Sequence, residues 1–138
     1  MFTASPTPRG LRVDSGTSWE AIAGFSRAVR SGQHIHVSGT TATHSDGSAV
    51  ALGDAGAQTT YAIDKAIAAV VALGGKIEDV VRTRLYVPKL HDWEAVARAH
   101  GRGFVGIEPA NTLVGVELVG DEYLVEVEVE AFVGQAAL

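Results

Sequence analysis

The sequence predicts an α+β fold in the order β-β-α-β-α-β-β, with both helices on one face of a single sheet. Three observations carry this expectation. Two segments keep helical spacing of apolar residues: Ile63, Ile67, Val70 and Val71, then Trp93, Val96, Ala97, His100 and Phe104. Residues 80–87 and 123–133 instead alternate between apolar and charged positions, as strands with one buried face do. Between these segments lie Gly-, Pro- and Ser-containing breaks.

Residues 1–18 carry Pro6 and Pro8 and no periodicity, and are expected to form a flexible arm ahead of one domain over 19–138. Residues 25–30 and 34–38 flank Ser31-Gly32 and predict a hairpin, with Gly32 taking the positive φ of a tight turn. His44-Ser45-Asp46-Gly47-Ser48 is a second turn. Asp54 is the expected N-cap of a helix reaching about Leu73, where Gly74-Gly75 stops it. In the strand 80–87, Val81, Thr83, Leu85 and Val87 share one face and Arg82, Arg84 and Tyr86 the other. Pro88 ends it, and a second helix spans about Asp92 to Phe104, its last turn weakened by Gly101 and Gly103. The strands 111–118 and 123–133 then form a hairpin through Gly120-Asp121. Thr112, Val114 and Val116 are expected on its apolar face, with Val125, Val127 and Val129.

Composition narrows the function. The chain has 138 residues, 46% of them hydrophobic, and no cysteine, which excludes disulfides, thiolate metal sites and a cysteine nucleophile. The net charge is −5, and seven carboxylates but no basic residue follow Arg102, a balance that disfavours nucleic acid. No apolar run is long enough for a membrane span and the amino end lacks a secretory pattern, so a cytoplasmic location is expected. The five histidines form no His-Glu-x-x-His motif, so neither metal nor cofactor is expected. Gly74-Gly75 follows a helix and is a cap rather than a phosphate cradle. Ser38-Gly39-Thr40-Thr41 either presents polar groups to a ligand or forms a bulge, and no serine sits in a nucleophile motif.

Two helices leave one sheet face uncovered. It is expected to hold Arg82, Arg84, Tyr86, Glu117, Glu126, Glu128 and Glu130, with Leu113 and Gly115 beside them. A solvated face with weak ion pairs is one reading. The other is a closed oligomer that encloses the charges and leaves ligand clefts between subunits. At least one of Arg82 and Arg84 should pair with a last-strand glutamate or reach such a cleft.

One ordered set of segments goes further: Phe25-Ser26-Arg27-Ala28, Val37-Ser38-Gly39-Thr40, Gly53-Asp54 with Gln58, residues 74–83, residues 92–96, Pro109-Ala110-Asn111-Thr112 and residues 127–131. Over about Ile22 to Val133 the chain resembles the Rid/YjgF family of reactive-intermediate deaminases, also labelled L-PSP endoribonuclease-like. The resemblance implies a chorismate-mutase-like fold and a homotrimer whose sheets line a central barrel. It also implies a deaminase site in which an arginine after Pro-Ala binds the substrate carboxylate and a last-strand glutamate activates water. Here Glu128 matches that glutamate, and Ser38 and Gly39 match the family pattern. The arginine position is Asn111, the usual aromatic hydroxyl is Phe25, and a frequent asparagine is Ala97. The expected site is therefore Glu128 as catalytic residue, with Asn111, Phe25, Ser38, Gly39, Leu113 and Arg84 contacting substrate. Either a Rid-type hydrolase of a small imine, enamine or related reactive metabolite or a non-catalytic trimeric metabolite-binding or regulatory module fits these residues, and RNA cleavage fits them poorly.

Overall fold

The computed structural model describes residues 2–134; Met1 and residues 135–138, the ends of the expected arm and domain, lie outside the described residues. Seven strands form one sheet: β1 (Ala4–Thr7), β2 (Gly10–Val13), β3 (Ala28–Ser31), β4 (His34–Thr40), β5 (Val80–Val87), β6 (Ala110–Gly115) and β7 (Glu126–Phe132). Their spatial order is β1-β2-β3-β4-β7-β5-β6. Three helices accompany them: α1 (Ser18–Ala23), α2 (Ala55–Ala72) and α3 (Trp93–Gly103).

Helix α2 begins where the sequence places it, with the Asp54 carboxylate accepting a hydrogen bond from the Ala57 N–H at 3.0 Å. It ends in a Schellman arrangement: the Gly74 N–H donates to the Val71 carbonyl and the Gly75 N–H to Val70, with Gly74 at φ 89°. The buried face is built from Gln58, Thr59, Ala62, Ile63, Ala66, Ala69 and Val70. Val71, expected on it, is exposed, because the alanines let the helix lie close to the sheet on a stripe rotated away from that residue. In α3, Val96 and Ala99 are buried and Phe104 closes the end, whereas Trp93, expected on the stripe, is 52% exposed.

The β3–β4 hairpin turns on Gly32 and Gln33, since Ser31 pairs with His34. Strand β5 keeps its expected limits, but its pairing with β7 slips between Val80 and Arg82. This bulge buries Val80 and turns Val81 outward, contrary to the simple alternation. Thr83, Leu85 and Val87 are buried under the helices, and Arg82, Arg84 and Tyr86 face the open side.

Two expectations about strand pairing also fail. Residues 1–18 are not a loose arm: β1 and β2 pair with each other, and β2 continues the sheet through β3. Strands β6 and β7 are not a hairpin, because β5 lies between them and β6 pairs with β5 in parallel. Helix α3 supplies the crossover a parallel neighbour requires. The register also reverses β6. Leu113 pairs with Leu85 and Gly115 with Val87 on the helix side, while Thr112 and Val114 stand opposite Arg84 and Tyr86 on the open side. Val114 and Val116 are accordingly exposed rather than buried in the chain.

The core lies between the sheet and α2–α3, around Ile35, Leu85, Val127, Val129, Val70 and Phe104. Leu85 is 1% exposed. Leu85→Ala should cost about 2–5 kcal/mol in urea denaturation.

Candidate functional site

The open face is ordered by a regular offset. Arg84 stands directly across from Glu128, yet its Nη1 donates to Glu130 Oε1 at 2.8 Å. Tyr86 stands across from Glu126, yet its hydroxyl donates to Glu128 Oε1. Arg84 and Tyr86 thus each reach the carboxylate one step diagonally along β7, a geometry that long side chains on a twisted sheet favour. The hydrogen bond to Glu128 holds the Tyr86 phenol above its ordinary pKa, and that from Arg84 holds the Glu130 carboxyl below its own. Arg82 Nη2 donates to the Thr112 hydroxyl at 3.2 Å, while its Nε is buried without a partner.

That offset leaves Glu126 with no partner on β5. It leans instead towards β4, where a Cβ on Gly39 would collide with its carboxylate, so the glycine makes its seat. Burial raises the pKa of Glu126, nearby Arg27 works against that rise, and Glu128 adds to it. The obstructed atoms are the far end of a flexible side chain. Gly39→Ala should therefore fold, lose on the order of 1 kcal/mol in urea denaturation and displace Glu126.

Next to Glu126 opens a cleft of about 820 Å³. Its walls come from α1 and the segment that follows it (Trp19, Phe25, Arg27), the loop after β4 (Thr41, Thr43), Lys65 of α2, and the segment leading into β7 (Val119, Tyr123, Glu126). Arg27 is only 9% exposed. One of its Nη groups donates to the Gly39 carbonyl, its guanidinium lies 5.6 Å from the Phe25 ring centre, and its Nε is buried without a partner. Lys65 Nζ donates to the Thr43 carbonyl at 3.2 Å. The Thr43 hydroxyl donates to Tyr123 Oη at 2.9 Å, tying two walls together.

Buried Glu20 anchors α1. It accepts hydrogen bonds from the Ser15 N–H at 2.8 Å, the Ser15 hydroxyl, and the Thr17 hydroxyl at 2.8 Å. Burial alone would raise its pKa, but these donors and the charge of Arg27 outweigh burial and lower it. A carboxyl with a lowered folded-state pKa contributes stability above its unfolded pKa of about 4.5 and loses it as pH falls through the folded value. Glu20→Gln should therefore destabilise the protein by about 1–3 kcal/mol at pH 7, and the gap to wild type should close in acid, as read by urea denaturation at pH 7 and pH 3.

The residues singled out from the sequence fall into three groups. Phe25 lines the cleft and Gly39 borders it, while the Ser38 hydroxyl donates to the Ser26 carbonyl at 2.7 Å and is thereby occupied. Glu128 and Arg84 lie beside the cleft on the open face. Asn111 and Leu113 lie elsewhere in the chain, on the helix side of edge strand β6. Asn111 Nδ2 donates to Thr83 Oγ1 at 3.0 Å, and that hydroxyl shares a hydrogen bond of 2.7 Å with His100 Nε2. Burial lowers the His100 pKa. Arg27, Lys65 and Glu126 were not among the expected site residues. Arg27 and Glu126 were visible only as charges in strand-like segments, and their burial comes from tertiary packing. Among the described residues no three His, Asp or Glu side chains form a metal-binding group, and no helix is long and apolar enough to cross a membrane.

The sequence model of the family described as Endoribonuclease L-PSP matches residues 16–133. The chain belongs to this family, the Rid/YjgF family. An uncharacterised protein of Streptomyces coelicolor is 41% identical over 124 residues, covering 89% of this chain and 92% of that protein. A crystal structure of a YjgF-family protein from Mycobacterium tuberculosis superposes with a TM-score of 0.79 at 36% identity, covering 88% of this chain and 98% of that one. The Escherichia coli YjgF structure gives 0.72 at 27% identity, covering 80% and 88%. The α+β fold of this Rid-family chain is thus the fold of these relatives.

Proposed function

We propose that this Rid-family chain is a hydrolase of a small imine, enamine or related reactive metabolite, working in a cleft between subunits of a homotrimer with Glu128 activating water. The setting of Glu128 supports this reading most. The Tyr86 hydroxyl occupies Oε1, and among the described residues Oε2 makes no hydrogen bond, so one oxygen is fixed while the other is available to a water. In that role the carboxylate accepts a proton as the water oxygen bonds to the imine carbon and the π pair moves to nitrogen. Protonation of that nitrogen and collapse of the carbinolamine release ammonia and a carbonyl product.

The substrate contacts assigned to Asn111, Phe25, Ser38, Gly39, Leu113 and Arg84 belong to this proposal, with β6 of one subunit completing a site on another. Exposed Val114 and Val116 and the half-exposed Arg84–Glu130 pair are surfaces that association would cover. Light scattering at micromolar concentration should give three times the chain mass of 14.4 kDa, and a monomer mass would remove the intersubunit cleft.

Asn111 favours a second reading, a module that binds a metabolite without turning it over. A neutral amide cannot form the bidentate ion pair of a guanidinium with a carboxylate adjacent to the reacting carbon. The wild type should therefore hydrolyse 2-aminoacrylate-type imines poorly. Asn111→Arg should restore only part of that activity, because Phe25 and Ala97 also lack the family's polar groups. Following keto-acid release from dehydratase-generated imine tests this. RNA cleavage is disfavoured by the net charge of −5.

A further inference from the structure

We propose that Asn111 turns its amide oxygen towards the ligand, so that the position of the family's carboxylate-binding arginine selects a neutral carboxamide here. Thr83 and His100 act as positioning residues that fix the amide. This selection rests on the reading that Asn111 contacts substrate, and it names the group that the contact takes. Thr83 is fully buried on β5, and its hydroxyl has one proton for two neighbours, Asn111 at 3.0 Å and His100 at 2.7 Å. Asn111 points Nδ2 at that oxygen, and Nδ2 can only donate. Thr83 therefore accepts from Asn111 and donates its one proton to His100 Nε2. The two lengths agree, because hydroxyl donors make shorter hydrogen bonds than amide N–H groups. His100 is then the neutral ring with its proton on Nδ1, the form that its burial also favours.

The directed chain from Asn111 through Thr83 to His100 orients an amide whose last torsion is otherwise soft. With Nδ2 held, Oδ1 occupies the other arm. Asn111 is exposed on edge strand β6, and among the described residues Oδ1 makes no hydrogen bond. The edge thus offers a fixed acceptor beside the second N–H of Nδ2. A carboxylate has acceptors only and sets its charge against that oxygen. A carboxamide of the same shape answers both groups, with an N–H for Oδ1 and an oxygen for the remaining N–H. The substrates that fit are imines or enamines whose reacting carbon carries a carboxamide in place of a carboxylate.

The test is NMR titration of the full chain at neutral pH with pyruvamide and pyruvate, which share a shape and differ in this one group. Wild type should bind pyruvamide roughly tenfold more tightly than pyruvate. Asn111→Arg should reverse that order, because a guanidinium has donors only. Thr83→Val removes the hydroxyl at nearly constant volume and frees the amide to turn, so the preference should shrink to about twofold or less while pyruvamide still binds. Thr83→Ser keeps the hydroxyl and should restore the preference. If Thr83→Val does not fold, wild type and the exposed Asn111→Arg carry the comparison. Equal affinity of wild type for the two compounds, tighter binding of pyruvate, or binding of neither overturns the proposal. A Thr83→Val protein that is less stable yet keeps the full preference also overturns it, since Thr83 would then serve packing alone. Imine turnover without a pyruvamide preference overturns the proposal and leaves the hydrolase reading standing. A pyruvamide preference without turnover of any imine supports the proposal and removes the hydrolase reading.

Discussion

Glu128→Gln should slow hydrolysis of any imine the wild type turns over by about 10²–10⁴-fold, the usual contribution of a positioned general base. Gln keeps an oxygen that can accept from the Tyr86 hydroxyl, so the side chain retains its seat and the thermal midpoint should stay near that of wild type. The amide cannot take a proton from water, so the loss belongs in kcat rather than KM. Carbonyl release followed against a trapping reagent gives the rate. A Glu128→Gln enzyme within a few-fold of wild type would remove Glu128 from the chemistry, and Glu126 would become the carboxyl to examine.

Gln58→Leu should be among the most destabilising single changes outside the hydrocarbon core. Gln58 is fully buried; its Oε1 accepts from the Leu124 N–H at 2.8 Å and its Nε2 donates to the Glu122 carbonyl at 3.0 Å. Leucine fills the space but leaves a backbone donor and a backbone acceptor without partners, at roughly 1–3 kcal/mol each, so about 2–6 kcal/mol is expected. The same two bonds fasten the segment that carries Tyr123 to the cleft and leads into Glu126. A loss below about 1 kcal/mol in urea denaturation would mean that this segment is held by other contacts.

Local chemistry made much of the fold legible. Asp54 and Gly74 mark the ends of α2 because an N-cap carboxylate and a left-handed glycine act within one turn of chain. Pro88 and the alternation of 80–87 define β5 for the same reason. What escaped the sequence is set by partners distant in the chain. Strands β1 and β2 have four residues each and lie among prolines, and only pairing with β3 orders them. Alternation in 111–118 and 123–133 announces two strands but not that β5 lies between them, since periodicity specifies faces and not neighbours.

The candidate site divides the same way. Glu128 stands out through resemblance, and the structure supplies its hydroxyl partner. Glu126, Glu128 and Glu130 look equivalent in the sequence, yet the diagonal offset gives Glu130 an arginine, Glu128 a tyrosine and Glu126 a place in the cleft. Arg27 reads as an ordinary strand charge until Phe25, Gly39 and α1 close around it.

The most direct measurement is carbonyl release from two imines, with and without the protein. One is 2-aminoacrylate made from serine by a dehydratase. The other is the ω-imine of 6-aminohexanoate made by an amine oxidase, whose carboxylate lies several bonds from the reacting carbon. A hydrolase with Asn111 in place of the carboxylate-binding arginine should accelerate the second, which needs no clamp beside its reacting carbon, far more than the first, and Glu128→Gln should abolish the acceleration. Strong acceleration of 2-aminoacrylate by the wild type, lost on Glu128→Ala, would contradict this account and make the chain a deaminase of ordinary imino acids despite Asn111; acceleration of neither imine would leave only the binding module.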